Sequence, residues 1–190
     1  MAYIELNNEL QGIRGLMKYS PVSAYPLLLL AETLLQGEST LSKGEREVIA
    51  TYVSGKNHCK FCQYSHGAAA AHHLHISLQD IEEIKFHADV TPLLSEKMKA
   101  LLNIAGKVQQ GGKSVMPQDI EAAKEMGATD KEIHDTVLIA AAFCMFNRYV
   151  DGLNTWADDS PADYVDASTR MAEQGYLRKE TMKMIGREVE

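Results

Sequence analysis

The sequence predicts an all-α protein, and three observations carry that prediction. Helix-start signals recur along the 190 residues: serine or threonine followed three positions later by an acidic residue, or serine followed by proline. No run of alternating β-branched and polar residues stands between turn residues, so strands find no support. Gly37, Gly55 and Gly111-Gly112 break the apolar-patterned segments into helix-length pieces.

In chain order, residues 6–17 read as a first helix with a weak apolar pattern. Ser20-Pro21 supplies an N-cap and a first helical residue for a second, which runs to about Gln36 before Gly37, with Pro26 placed to bend it. Ser42-Lys43-Gly44-Glu45 is a capping box, in which serine and glutamate each satisfy a free backbone N–H, and it opens a third helix to about Ser54. Gly55-Lys56-Asn57 ends that helix, and Asn57 is expected to cap a fourth one carrying Cys59, Cys62, His66 and the alanines at 68–71. Ser77-Leu78-Gln79-Asp80 opens a fifth, and Pro92 stands near the start of a sixth that fades before Gly111-Gly112. Residues 111–114 read as an internal linker. A short helix follows over about 118–126, and Thr129-Asp130-Lys131-Glu132 is a capping box for the longest helix, through Ile139, Phe143, Phe146 and Val150. Ser160-Pro161 opens a polar helical tail whose thin apolar stripe suits packing on a neighbouring subunit.

Composition narrows the function classes. With 45% hydrophobic residues the chain can bury a continuous core. Its net charge of −7 and the lack of any Lys/Arg stripe speak against a nucleic-acid or anionic-membrane surface. The strongest apolar run, residues 26–30, is far short of the roughly 20 residues that span a bilayer. Glu5 and Glu9 stand where a secretory signal would carry positive charge and then an apolar core, so a cytoplasmic protein is expected. Three cysteines, two spaced C-x-x-C, are no disulfide framework, and in a reducing compartment that spacing points to redox or metal chemistry.

With Asn57 as cap, Cys59 falls in the first helical turn, where free N–H groups and the helix dipole favour a thiolate. Cys62 and His66 follow at i+3 and i+7, along one stripe of the helix, so a base stands within reach of a thiol. The dipole favours Cys59 as the attacking sulfur, whereas nearness to His66 favours Cys62. Glu47 lies on the preceding helix, on a small-residue face with Ala50, Thr51 and Ser54 that would let another helix approach closely. If the fourth helix packs there, Glu47 can orient His66 as a carboxylate supports a catalytic histidine. Spacing alone, however, favours a solvated glutamate beside Arg46.

Glu47, eleven residues, then Cys59-Lys60-Phe61-Cys62 and His66 form an E-x11-C-x-x-C-x-x-x-H pattern that resembles the AhpD-like alkylhydroperoxidases of the carboxymuconolactone decarboxylase superfamily. Gly44-Glu45-Arg46-Glu47, Ser65-His66-Gly67-Ala68 and the stretch at 146–153 are similar to its peroxidase-related branch, and the likeness extends over roughly residues 10–160. The resemblance implies an AhpD-like multi-helix bundle, a single domain over 1–190 with 160–190 as a helical extension, and a homo-oligomer, trimeric or hexameric. It also implies thiol-dependent reduction of a peroxide substrate with no haem, metal or other cofactor. Cys59 and Cys62 would be the redox pair, His66 the proton shuttle and Glu47 the residue that polarises it. An external dithiol, lipoyl-bearing or of thioredoxin type, would reset the pair. Phe61 departs from better-known members, which carry a histidine next to the second cysteine.

Two other functions suit the same residues. A general disulfide oxidoreductase needs only the dithiol. A zinc protein would use Cys59, Cys62 and His66, with His58, His72, His73 or His75 nearby, but it needs a fourth ligand, and Cys144 stands alone and reads as a core thiol. His72, His73 and His75 read as helix-end histidines meeting terminal carbonyls. Gln63 after the second cysteine excludes a c-type haem motif. Asn147, Arg148 and Asp151 are peripheral candidates, Arg148 and Asp151 being spaced as an ordinary ion pair.

Overall fold

The computed structural model describes residues 2–187, and among these there are ten α-helices and no strand. They are α1 (Gly12–Tyr19), α2 (Pro21–Leu35), α3 (Lys43–Lys56), α4 (Lys60–Leu74), α5 (Leu78–His87), α6 (Glu96–Gln110), α7 (Pro117–Glu125), α8 (Asp130–Gly152), α9 (Val165–Gln174) and α10 (Lys179–Met184). The all-α expectation holds.

The predicted capping boxes at Ser42 and Thr129 both form. In each the hydroxyl accepts from the N–H three residues on and the glutamate accepts from the cap's own N–H. Ser77 with Asp80 forms a third before α5. α2 starts at Pro21 and continues through Pro26.

Four local expectations are corrected. The first helix starts at Gly12 rather than near residue 6, because the Asn8 side chain ties up the preceding loop, donating to the Leu6 and Gly15 carbonyls and accepting from Leu10 N–H. α6 starts after Ser95, whose hydroxyl accepts from Met98 N–H, not near Pro92. The 111–114 stretch is a 3-10 turn, Gly112–Ser114, between α6 and α7, which pack on each other. Residues 161–174 pack on their own chain: the 3-10 turn Pro161–Tyr164 and α9 both lie on α4.

α3 is the central element, packed against α4, α6 and α8. Val48, Ile49, Ala50 and Val53 are all buried there. Gly44 is one reason α3 and α4 can lie so close: a Cβ on it would meet Leu74 Cδ2 of α4 at 2.6 Å. The consequence is that buried positions of α3 face the chemistry-bearing positions of α4.

Candidate functional site

α4 does not begin as its sequence suggests. Asn57 ends α3 instead of capping α4, because its amide is held by other helices: Nδ2 donates to Asn147 Oδ1 of α8 at 2.8 Å, and Gln109 Nε2 of α6 donates to its Oδ1 at 2.9 Å. His58 then takes a left-handed conformation with φ +58°, and Cys59 itself becomes the N-cap residue. Cys59 is fully buried and Cys62, one turn into α4, is 3% exposed; both are free thiols.

The two sulfurs are not equivalent. Cys59 is pushed well above the usual thiol range, first by donating a hydrogen bond to Cys62, then by burial and by the charge Cys62 carries when ionised. The Cys62 backbone N–H opposes this with a smaller effect. Asp151, on α8, also shares a hydrogen bond with Cys59, and partial burial raises its carboxyl. Cys59 therefore holds its proton, and the helix-dipole argument for its thiolate does not hold.

Glu47 is fully buried, which overturns the solvated-glutamate expectation. Arg46 turns away to the end of α2, donating to the carbonyls of Leu34 and Gly37. Both Glu47 oxygens are used: Oε2 lies 2.7 Å from His66 Nδ1 and Oε1 accepts from the Tyr176 hydroxyl at 2.7 Å. A carboxylate facing Nδ1 places the proton there and leaves Nε2 as the free ring nitrogen. Tyr176 OH is also 3.3 Å from His66 Nδ1, and the two rings lie nearly parallel at 6.1 Å. Complete burial, and then the Glu47 charge, push the Tyr176 hydroxyl well up, so it keeps its proton and donates. Tyr176 N–H is anchored in turn by Glu32 Oε2 at 2.6 Å. The edge of Phe143, from α8, closes the other side of the imidazole at 4.6 Å.

Cys62, Ser65 and His66 open onto a cavity of about 120 Å³ walled mainly by Met17, Leu28, Phe143, Phe146 and Met171. Phe61 also borders this space, its ring seated over Gly12, which has φ +56° and where a Cβ would lie 2.1 Å from Phe61 Cγ. The ring thereby fills a notch between α1 and α4 and packs edge-on against Tyr164 at 5.9 Å.

Of the predicted residues, Glu47 and His66 are in direct contact and Cys59 and Cys62 are hydrogen-bonded, with Cys62 and His66 on one cavity wall. The remaining histidines lie apart from this wall. His72 faces Glu173 of α9 at 3.6 Å, burial lowers His73, and His75 ends α4 in a left-handed conformation. Cys144 is half-buried and its Sγ accepts from Asn57 at 3.6 Å. Arg148 donates to the Cys144 carbonyl, one turn back on α8. Among the described residues, no three His, Cys, Asp or Glu side chains form a group able to hold a metal ion. Tyr176 was not legible as a site residue: it lies 110 positions from His66, in a tail whose pattern carries no motif.

The sequence model of the carboxymuconolactone decarboxylase family matches residues 24–102, a span that contains Glu47, Cys59, Cys62 and His66 but not Tyr176. No curated protein gives a significant match. Among solved structures, a peroxidase-related protein from Silicibacter sp. TM1040 is similar, with 27% identity and a TM-score of 0.71 over 80% of this chain and 78% of that one. A second, from Ralstonia eutropha JMP134, described as an alkylhydroperoxidase AhpD core and peroxidase-related, has 25% identity and a TM-score of 0.70 over 81% and 78%. The matched span holds the whole Glu47, Cys59, Cys62, His66 motif, and the all-helical fold of the chain is similar to that of these AhpD-like, peroxidase-related structures.

Proposed function

We propose that the protein is a thiol-dependent peroxidase in which Cys62 attacks, Cys59 resolves, and His66 supported by Glu47 moves the proton. The observation that carries this reading is the buried chain Tyr176–Glu47–His66, ending on the cavity wall that also bears Cys62. His66 Nε2 takes the Cys62 thiol proton, the resulting thiolate attacks the near oxygen of a hydroperoxide, the O–O bond breaks, and the departing alkoxide takes that proton from His66. Cys62 is then a sulfenic acid. The Cys59 thiol, already directed at Cys62, displaces its hydroxyl as water and leaves a Cys59–Cys62 disulfide. An external dithiol, lipoyl-bearing or of thioredoxin type, returns both thiols. No metal or haem enters this scheme.

The 1–190 chain then works as one domain, with residues 160–190 as an extension that supplies Tyr176. A reducing cytoplasm suits a dithiol that must be reset after each turnover. We also take the molecule to act as a homo-oligomer, trimeric or hexameric.

The test is a count of thiols, bound metal and hydroperoxide consumed in purified protein. Wild type should lose two thiols per peroxide in metal-free protein. Cys62→Ser should abolish consumption, and Cys59→Ser should still form a sulfenic acid trappable by dimedone. His66→Ala should slow the reaction by about 10²–10⁴-fold, the usual worth of a positioned acid–base. Stoichiometric zinc with unreactive thiols would overturn the proposal, as would a reactive Cys59 beside an inert Cys62.

A further inference from the structure

Two guanidinium groups border the Cys62 cavity: Arg14 from α1 and Arg178, the residue that precedes α10. Arg178 has a side chain only 13% exposed; its Nη1 donates to the Gly175 carbonyl at 3.3 Å, and its buried Nε has no hydrogen-bond partner. Glu180 Oε2 is 3.8 Å from that Nε, on a largely exposed side chain. Burial lowers Arg178 first; Glu180 opposes this, while Arg14 and Arg170 lower it further. Asp163 is the acidic group bordering the same cavity, and it is exposed. A half-buried cation crowded by two others carries a standing electrostatic cost that a bound anion would relieve.

Most of the remaining lining is apolar. Its volume of about 120 Å³ is close to the roughly 150 Å³ of an apolar cavity that takes up benzene. We infer that the cavity binds a compact organic anion, a carboxylate with an apolar body of about one ring, its charge held by Arg14 and Arg178 and its body beside Cys62. This deepens the peroxidase reading, which it takes as its basis: the preferred hydroperoxide is one that also carries a carboxylate. Arginine is suited to the task because its planar fork can meet both carboxylate oxygens.

The test uses benzoate and its neutral isostere benzamide, titrated calorimetrically into wild type, Arg14→Gln, Arg178→Gln, Ala167→Phe and Cys62→Ser, with folding checked by circular dichroism. Wild type should bind benzoate about tenfold more tightly than benzamide, which is about 1.4 kcal/mol and within the range of one half-buried charge pair. Each arginine substitution should bring the ratio towards one. Ala167→Phe, which fills the cavity from α9, should remove binding of both ligands. Cys62→Ser should keep the benzoate preference while losing peroxide consumption, so failure of anion binding and failure of the peroxidase reading are told apart. Equal affinity for the two ligands, no binding of either, a preference that survives both arginine substitutions, or binding undisturbed by Ala167→Phe overturns the inference.

Discussion

At the scale of single residues, the site is a row of hydrogen bonds in which each buried polar atom depends on the next. Glu47 could not stay buried with one partner, since a carboxylate oxygen removed from water without a bond costs several kcal/mol. His66 satisfies one oxygen and Tyr176 the other. Tyr176→Phe is therefore expected to lower stability by about 1–3 kcal/mol, the cost of one orphaned buried acceptor. That corresponds to a melting shift of roughly 2–4 °C per kcal/mol in a chain of this size. Peroxide consumption should slow as well, with both reactive thiols still titrating. Differential scanning calorimetry and a thiol count on the same sample check the two halves; an unchanged melting point would show that Tyr176 is not holding Glu47. The glutamate, histidine and cysteines were readable from their spacing, but Glu47 was read in isolation as exposed. Its burial depends on α4 and on Tyr176, neither of which is local to it.

Among the elements, the helix starts at Ser42 and Thr129 were the most legible because a capping box is complete within four residues. Thr129 and Glu132 bond each other before α8, and Glu132 Oε1 also accepts from Lys97 of α6 at 2.8 Å, so one cap links two helices. Burial pushes the Glu132 carboxyl up, but its bonds to Lys97 and to Thr129 N–H outweigh that and leave it below its ordinary value of 4.5. Asp135, bonded to Lys131, His134 and Ser39, is likewise held below 3.8 despite burial. A carboxyl lowered by folding contributes stability that is complete above its unfolded value and lost as pH falls through its folded one. The urea midpoint should therefore hold on acidification and then drop below pH 4.5. Thr129→Ala should cost about 1 kcal/mol at neutral pH. A flat midpoint through that acid range would contradict the assignment. The Asn57 cap failed for a reason of the same kind in reverse: asparagine is a good local cap, but α6 and α8 offer its amide two better-placed partners.

For the whole molecule, the arrangement of helices leaves a row of apolar side chains on the outer face of α8. Leu138 and Met145 are 40% and 43% exposed, and Ala141 lies between them on the same stripe. This row gives the proposed homo-oligomer a place to form. The paired substitution Leu138→Glu with Met145→Glu should convert the assembly to monomers in size-exclusion chromatography with light scattering, because charge at the centre of a self-associating patch is strongly disfavoured. An unchanged mass would move the interface elsewhere, and a monomeric wild type would remove the proposal.

The all-helical class, two capping boxes and the Glu47, Cys59, Cys62, His66 pattern were determined by the sequence alone, because each rests on neighbours within a few turns or on the spacing of one segment. What only the tertiary structure decided is that burial and Cys62 push the Cys59 thiol up, that Glu47 is buried, and that a tyrosine remote in sequence bonds its second oxygen. Those outcomes are set by desolvation and by hydrogen bonds between groups remote in sequence, and no local pattern encodes either.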